Sequence, residues 1–245
     1  MRTFKTRGIV IRERDAGETD KQLTLLTKNY GKIIVSAKGA RKPRSKFLSG
    51  TQLFTYSDFI IYDGKRFYTV SQIDVIEGFF SLSSDYVRLC LAQYLVEVCD
   101  KTTPLNAAPC GDLLHLLIIS LSALAKGVRL PQLVVRAFEI KFFQISGIAP
   151  ETGCCVKCGG PLSLPIRFCD EGTVCDCYKQ PAVKISPAAL SAIQYILSAE
   201  LSNIFKFKIG EEALNEMKCA AGLFFKSNFE AMVKSLDFLD SKPPL

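Results

Sequence analysis

Six of the ten cysteines lie in one short stretch, between Cys154 and Cys177. The pair Cys155-x-x-Cys158 is followed by a glycine, and a second pair, Cys175-x-Cys177, begins 17 residues after Cys158. A two-residue spacer lets both thiolates of a pair face one ion, and two pairs at this separation are typical of a structural zinc ribbon. The sequence therefore predicts that one zinc ion joins two chain segments, with Cys155, Cys158, Cys175 and Cys177 as its ligands.

The second pair is one residue shorter than usual, which leaves the ligand set open to Cys169 or Cys154 as a substitute. Four thiolates fill the coordination sphere of a tetrahedral ion and leave no position for water or substrate, so a zinc ion here is structural. A redox-active CxxC pair and merely buried cysteines are the alternatives, although no parallel βαβ pattern surrounds the pair. The N-terminus has no secretion signal, which favours a reducing, cytoplasmic compartment.

Residues 1–80 show the pattern of short strands separated by turns. Asp63-Gly64 is a strong hairpin signal between the last two strands. Five short strands with no helical pattern between them favour a small barrel such as the OB-fold. The predicted strands are Phe4–Arg12, Gln22–Thr27, Lys32–Ala37, Leu53–Tyr62 and Phe67–Ile76.

The excess positive charge is confined to the start of the chain. Residues 1–50 hold 13 basic and 4 acidic side chains, a net charge of +9, whereas the whole chain carries +7. Between the third and fourth predicted strands, Gly39 and Pro43 exclude a regular helix and favour an exposed loop. No acid occurs from Asn29 to Ser57. The basic residues of this loop are Lys38, Arg41, Lys42, Arg44 and Lys46.

Such a loop can follow a phosphate backbone, because each phosphate that it neutralises releases counterions. Nucleic acid is the partner that we expect, and a solvated surface or an acidic protein or membrane surface is the alternative. Nearby aromatic side chains can stack on bases, although a place in the barrel core or on a strand is the simpler explanation of each. These aromatic residues are Tyr30, Phe47, Tyr56, Tyr62, Phe67 and Tyr68.

From residue 81 the pattern becomes helical. Ser83 or Ser84 can cap a first helix, Gly111–Lys126 is apolar almost all round, and Pro131 suits the first turn of a third helix. The most apolar run, at 113–125, is too short to cross a bilayer, so no membrane partner is expected. After the cysteines, the predicted helices are Pro187–Ser198 and Glu211–Lys234.

The predicted fold is multidomain α+β, with an N-terminal five-stranded OB-fold β-barrel and a C-terminal all-α domain that contains an inserted cysteine-rich zinc module. The expected divisions are 1–80 for the barrel, 81–150 and 181–240 for the two parts of the helical domain, 151–180 for the zinc module and 241–245 for a tail.

No catalytic pattern accompanies these features. The sequence lacks the P-loop, dinucleotide-binding, GxSxG and HExxH motifs. His115, the only histidine, lies in an apolar helical stretch, where a structural role is simpler than a catalytic one. Asp15, Glu18 and Asp20 form an acidic group that can bind a cation, although a solvated turn explains it more simply. We therefore expect a non-enzymatic protein with no small-molecule substrate.

Several motifs occur together in an order that matches a known family. The first are Arg7–Ile11, Asp15–Asp20, Leu23–Thr27, Gly31-Lys32 and Ala37–Lys42, and later come Phe138–Lys141, Gly147-x-x-Pro150 and Cys155-x-x-Cys158-Gly159. Across the whole chain this set resembles the RecO family of bacterial DNA repair mediators, and it is most specific in residues 7–47. The short second cysteine pair departs from the family pattern.

The resemblance implies binding of single- and double-stranded DNA, annealing of complementary strands and assistance to RecA loading. It also implies partnership with RecR and with the acidic tail of single-stranded-DNA-binding protein, and a cytoplasmic, nucleoid-associated location. Besides the five loop cations, the weaker candidates for DNA contact are Arg7, Arg12, Lys32 and Arg66. Candidates for the acidic tail are Arg129, Arg136 and Lys141, although helix-surface salt bridges explain the same residues.

An OB-fold and zinc-ribbon protein that acts on RNA, in ribosome assembly or transcription, is the alternative function, and composition does not exclude it. An enzyme that uses the cysteines, either as a redox protein or as a zinc hydrolase, is a second alternative. A scaffold whose basic loop binds an acidic protein is a third.

Overall fold

The structure, a computed structural model, describes residues 2–64, 67–106 and 108–229. The described chain divides after Lys126 into two compact units, called here the N-terminal unit and the C-terminal unit. Within the residues described, no helix is both long enough and apolar enough to cross a membrane. The predicted tail at 241–245 lies outside the described residues, as does Arg66.

Five strands form the sheet of the N-terminal unit, as predicted. They are β1 (Arg2–Ala16), β2 (Asp20–Thr27), β3 (Gly31–Ala37), β4 (Thr55–Asp63) and β5 (Tyr68–Gly78). Each strand pairs with two neighbours, and the order β1-β2-β3-β5-β4 closes into a ring because β4 also pairs with β1. All neighbours are antiparallel except β3 and β5, which pair in parallel at Val35↔Tyr68 and Ser36↔Thr69.

Every second side chain along the strands points into the interior of this ring and fills it. Inward-facing side chains are almost completely buried, whereas the residues between them face outward, as the period of two in a strand requires. In β3, for example, Ile33 and Val35 are 1% exposed, and Ile34 between them is 39% exposed on the outer face. The interior residues include Val10, Leu23, Leu25, Ile33, Val35, Phe59 and Ile61.

Two helices complete the N-terminal unit, α1 (Tyr86–Thr102) and α2 (Gly111–Lys126). The prediction that Ser83 or Ser84 caps α1 is wrong, because both lie inside a short 3-10 helix and donate to its carbonyl groups. Asp85 is the cap instead, and its carboxylate accepts a 3.1 Å hydrogen bond from the backbone N–H of Arg88. The bounds predicted for α2 are confirmed.

The C-terminal unit contains α3 (Pro131–Ile145), α4 (Pro187–Ser198) and α5 (Glu211–Phe229). The side chain of Ser186 caps α4 and accepts a hydrogen bond from the Ala189 N–H. Aromatic rings join α3 to α5, since the Phe143 ring centroid lies 4.6 Å from that of Phe224. The predicted extension of α5 from residue 230 to 234 lies outside the described residues.

A small cysteine-bearing module connects α3 to α4. Its three short strands are β6 (Arg167–Phe168), β7 (Thr173–Val174) and β8 (Val183–Lys184), arranged in the order β7-β6-β8. The small hydrophobic core of this module consists of Cys155, Cys169 and Val174.

Candidate nucleic-acid interface and metal centre

The segment between β3 and β4 is fixed to the sheet at two points. Ala40 is 0% exposed and Phe47 is 8% exposed, and both pack into the interior of the ring. Between them the chain turns repeatedly, with backbone hydrogen bonds such as Ser45 N–H to Lys42 C=O at 2.9 Å. Since both ends are buried, the residues between them are held on the surface.

A carboxylate from β2 fixes the start of this segment. The backbone N–H of Gly39 donates to Asp20 Oδ1 at 2.7 Å, and Arg41 N–H donates to the Thr19 carbonyl at 2.9 Å. The Gly39 hydrogen bond, a second one from Thr19 and the charges of Lys38 and Lys42 lower the pKa of Asp20. Asp20 therefore acts as an internal anchor of the loop.

The five predicted loop cations are all exposed, and we call them the basic loop (Lys38, Arg41, Lys42, Arg44 and Lys46). Arg41 pairs with Asp15 at 3.2 Å and donates to the Gly17 and Glu18 carbonyls. Lys46 lies over the ring of Phe47, 5.0 Å from its centroid. Apart from Arg41, none of the five has a carboxylate within 4.0 Å among the described residues.

The weaker candidates for phosphate contact occupy different surroundings. Arg7 is exposed on β1 and pairs with Asp58 at 3.3 Å. Arg12 is half-buried and pairs with Asp100 of α1. Both guanidinium groups thus have an acidic partner, but Arg7 is exposed at the surface, whereas Arg12 is half-buried.

Lys32 does not lie on the surface, which corrects its assignment as a phosphate contact. Its side chain is buried, and its ammonium lies 3.2 Å from Asp100 Oδ1 and also donates to the Asp100 carbonyl. A buried ammonium needs a charged partner and full hydrogen bonding. Lys32 and Arg12 therefore attach the sheet to α1 through one carboxylate, a link that sequence spacing could not reveal.

The aromatic side chains that are candidates for stacking on bases differ in how exposed they are. Phe47 is buried, and Tyr56, Tyr62 and Tyr68 are half-buried, whereas Tyr30 is 39% exposed and Phe67 is 76% exposed. For Phe47 a place in the core is confirmed. Phe67 is the candidate that the fold leaves most available to a ligand.

In the C-terminal unit, the four cysteines that the spacing selected come together. The Sγ atoms of Cys155, Cys158, Cys175 and Cys177 all lie within 4.8 Å of one another. Cys155 and Cys177 are 3.5 Å apart at sulfur, and Cys158 and Cys175 are 3.7 Å apart. This donor set is compatible with a bound metal ion.

The two suggested substitutes lie outside this group. Cys169 is 1% exposed and packs beside Cys155 and Val174 in the small hydrophobic core of the module. Cys154 contributes its backbone carbonyl instead, which accepts a 2.9 Å hydrogen bond from the Thr173 hydroxyl. Neither belongs to the four converging thiols.

Hydrogen bonds inside the cluster separate the pKa values of its thiols. The backbone N–H of Cys175 donates to Cys155 Sγ at 3.4 Å and lowers the pKa of Cys155 to about 6. The sulfur of Cys175 raises the pKa of Cys177 to about 12. Without a cation, Cys155 and Cys177 therefore do not both ionise near neutral pH, and a bound metal would favour the thiolate form of both.

Backbone contacts hold the two cysteine pairs in place. Gly172 has φ +142, and a Cβ there would lie 2.1 Å from the Glu151 carbonyl oxygen, so only glycine fits. The guanidinium of Arg167 donates to the carbonyls of Cys175 and Tyr178, at 3.0 and 2.6 Å. These contacts position the second pair against the first.

The three candidates for an acidic tail do not form one surface group. Arg129 is exposed. Arg136 is 1% exposed and forms a buried pair with Glu139 at 2.8 Å. Lys141 is 7% exposed and donates to the Leu197 carbonyl at 3.0 Å, and burial lowers its pKa. The prediction that Arg136 and Lys141 lie on the helix surface is corrected, because both side chains are buried inside the unit.

Two family models match consecutive parts of the chain. The family model described as recombination protein O N terminal matches residues 1–79, and the one described as recombination protein O C terminal matches residues 83–241.

Among relatives, DNA repair protein RecO of Acetivibrio thermocellus is 38% identical over 244 residues, covering 98% of this chain and 97% of the relative. The protein of the same name from Alkaliphilus metalliredigens is 36% identical, covering 87% and 90%. That from Symbiobacterium thermophilum is 31% identical, covering 98% of both chains. On these matches, the chain belongs to the recombination protein O family of DNA repair proteins.

Proposed function

We propose that this protein is a recombination mediator that binds single- and double-stranded DNA through the basic loop and the sheet beneath it. On this proposal it anneals complementary strands and, together with RecR, assists the loading of RecA, without catalysing a reaction itself. The observation that carries the proposal is an anchored loop with exposed cations in a stretch of chain that has no acid from 29 to 57.

We further infer that the closed ring of strands is an OB-fold barrel. Its order β1-β2-β3-β5-β4, with β3 and β5 in parallel and the others antiparallel, supports this assignment. Barrels of this class commonly bind single-stranded nucleic acid on one face. In the proposal the basic loop, between β3 and β4, extends that face with positive charge.

The mechanism needs only electrostatics and base pairing. Cations on the loop neutralise phosphates, so two strands that repel each other in solution can approach. Base pairing then provides the free energy of annealing, and no nucleotide hydrolysis is required. An anchored loop suits this role because less of its backbone must be ordered when DNA binds.

We propose zinc as the metal of the cysteine cluster, with one ion and a structural role. Sulfur atoms on a tetrahedral zinc with bonds of about 2.3 Å lie about 3.8 Å apart. The observed separations of 3.5 and 3.7 Å fit this arrangement. Cys155, Cys158, Cys175 and Cys177 would hold the ion, which would join the two halves of the module and leave no position for a substrate.

Partners and location follow from the same proposal. The family relationship supports RecR and single-stranded-DNA-binding protein as partners and a cytoplasmic location at the nucleoid. For the acidic tail of the latter protein, Arg129 remains the exposed candidate of the three.

A strand-annealing assay tests the proposal. A variant with all five basic-loop residues changed to Ala is expected to anneal complementary oligonucleotides far more slowly than the wild type. A smaller variant, Lys42→Ala/Arg44→Ala, has a matched control in Lys206→Ala/Lys208→Ala, which removes two exposed charges from the C-terminal unit. If the five-residue variant anneals at the wild-type rate, the loop is not the DNA-binding site.

The same oligonucleotides made as RNA address the alternative function. A mediator of DNA repair is expected to bind matched DNA at least as tightly as RNA at the same salt concentration. A strong preference for RNA would favour the alternative role in ribosome assembly or transcription.

A further inference from the structure

A groove of about 430 Å³ lies on the outer face of the N-terminal sheet, beside the start of the basic loop. Ile34 and Ser36 of β3 line it, together with Gln22 of β2. Phe67 and Tyr68, at the beginning of β5, also line it. Its volume falls within the range of roughly 300–1,000 Å³ that small-molecule sites in proteins occupy.

The apolar part of this groove has no packing role that explains its exposure. Phe67 is 76% exposed, more than any other large hydrophobic side chain among the described residues, and Ile34 is 39% exposed. Outward positions of a half-solvated sheet are normally polar. An exposed aromatic ring and a branched aliphatic side chain in one groove instead offer a flat apolar surface to a ligand.

The polar residues that line the groove indicate the chemical class of its ligand. Lys38, which is exposed and is the first cation of the basic loop, also lines the groove. Side chains with hydrogen-bonding groups, Gln22, Ser36 and Thr69, lie along the apolar surface. A cation at the rim, an apolar surface and polar groups at its edge are what a base attached to a phosphate requires.

We propose that this groove takes an unpaired base of single-stranded DNA, with Phe67 as its stacking surface and Lys38 on the adjacent phosphate. The inference rests on the proposed function, since the basic loop brings the strand to the groove. A base within a duplex is stacked on both faces and cannot present a face to Phe67. The groove therefore gives the protein a preference for single strands, whereas the loop holds either form.

The test compares Phe67→Ala with the wild type in binding to oligo-dT and to a duplex of equal length at one salt concentration. Loss of one stacked base is expected to weaken binding to oligo-dT by roughly 5- to 150-fold and to leave duplex binding unchanged. Phe67→Tyr, which keeps the ring, is expected to bind both as the wild type does. Tyr86→Ala is the matched control, because Tyr86 is 69% exposed in the same unit and does not line the groove.

The outcomes separate this inference from the proposed function. Wild-type affinity of Phe67→Ala for oligo-dT would overturn the inference, as would an equal loss for oligo-dT and duplex. Lys42→Ala/Arg44→Ala tests the loop independently, because it is expected to weaken binding to both forms. If Lys42→Ala/Arg44→Ala binds both forms as tightly as the wild type while Phe67→Ala loses affinity for oligo-dT, the result would count against the loop and not against the groove. Thermal unfolding of each variant checks that the fold is retained.

Discussion

Asp20 accepts a 2.7 Å hydrogen bond from the backbone N–H of Gly39, a residue 19 positions later that begins the turn of the basic loop. The acidic group that includes Asp20 is thus part of the scaffold of a basic surface. Asp15 has a similar place, because it pairs with Arg41 at 3.2 Å. The carboxylates of Asp15 and Asp20 therefore hold the loop in place, and Lys38, Lys42, Arg44 and Lys46 remain exposed.

Asp20→Ala is expected to loosen the loop without unfolding the sheet, because it removes the acceptor for the Gly39 N–H. Amide hydrogen exchange at Gly39 should become faster, and Asp20→Asn, which keeps an acceptor oxygen, should show a smaller change. The Gly39 hydrogen bond keeps the folded pKa of Asp20 below its ordinary value of 3.8. Its stabilising effect is therefore complete above pH 3.8 and is lost as the pH falls through the lower folded value. Exchange at Gly39 that is identical in wild type and Asp20→Ala would contradict the anchoring role.

Asp100→Ala is expected to destabilise the protein by about 3–5 kcal/mol, because it leaves the buried ammonium of Lys32 without its carboxylate. Lys32→Met, which removes the buried charge and keeps the length of the side chain, should cost less. Urea unfolding measures both changes. Lys32→Met should also bind DNA as the wild type does. Reduced DNA affinity in a stably folded Lys32→Met protein would indicate that Lys32 contacts DNA.

The dependence of DNA affinity on salt should report how many loop cations touch phosphate. For duplex DNA, each contact contributes about 0.9 to the slope of log affinity against log salt, and about 0.7 for a single strand. Lys42→Ala/Arg44→Ala is expected to lower the slope for a duplex by about 1.8 if both residues contact phosphate. A titration series in KCl measures it. An unchanged slope for this variant, matching that of Lys206→Ala/Lys208→Ala, would place the contacts elsewhere.

Much of this architecture was predictable from local sequence patterns. The strands follow from alternating apolar residues, α2 from its continuous apolar surface, and the cysteine group from its spacing. The exposure of the basic loop follows from Gly39 and Pro43, which prevent a helix. Each of these features depends on residues close together in the chain.

Features that depend on distant residues were not predictable. Lys32 and Asp100 are 68 positions apart, and nothing near Lys32 indicates that its charge is buried. Arg136 and Glu139 are three positions apart on a helix, a spacing typical of a surface pair, yet tertiary packing buries both. The cap of α1 was misassigned because Ser83, Ser84 and Asp85 are all good capping residues, and only the preceding 3-10 helix decides between them.

Removal of the metal is expected to open the cysteine module. With zinc bound, a thiol reagent should leave the four cluster cysteines unmodified in the native protein, together with the buried Cys99 and Cys169, and a chelator should make the four cluster cysteines reactive. Cys177→Ser should lower the zinc content, whereas Cys219→Ser, which changes an exposed cysteine outside the cluster, should keep one zinc per chain. Metal analysis measures the stoichiometry. A full zinc content in Cys177→Ser would show that another residue completes the site.

Gly172→Ala should impair the module as severely as loss of a ligand, although it changes no sulfur. A methyl group at Gly172 would lie 2.1 Å from the Glu151 carbonyl oxygen, and φ +142 is strained for any residue with a Cβ. The pairing of Glu151 with Gly172 would then be lost, and the two cysteine pairs would no longer meet. Gly222→Ala is the matched control, since a Cβ there meets nothing within 4 Å and alanine favours a helix by about 1 kcal/mol. Zinc content and thermal unfolding of the two variants test the difference, and a Gly172→Ala protein with full zinc and wild-type stability would show that this contact does not hold the module together.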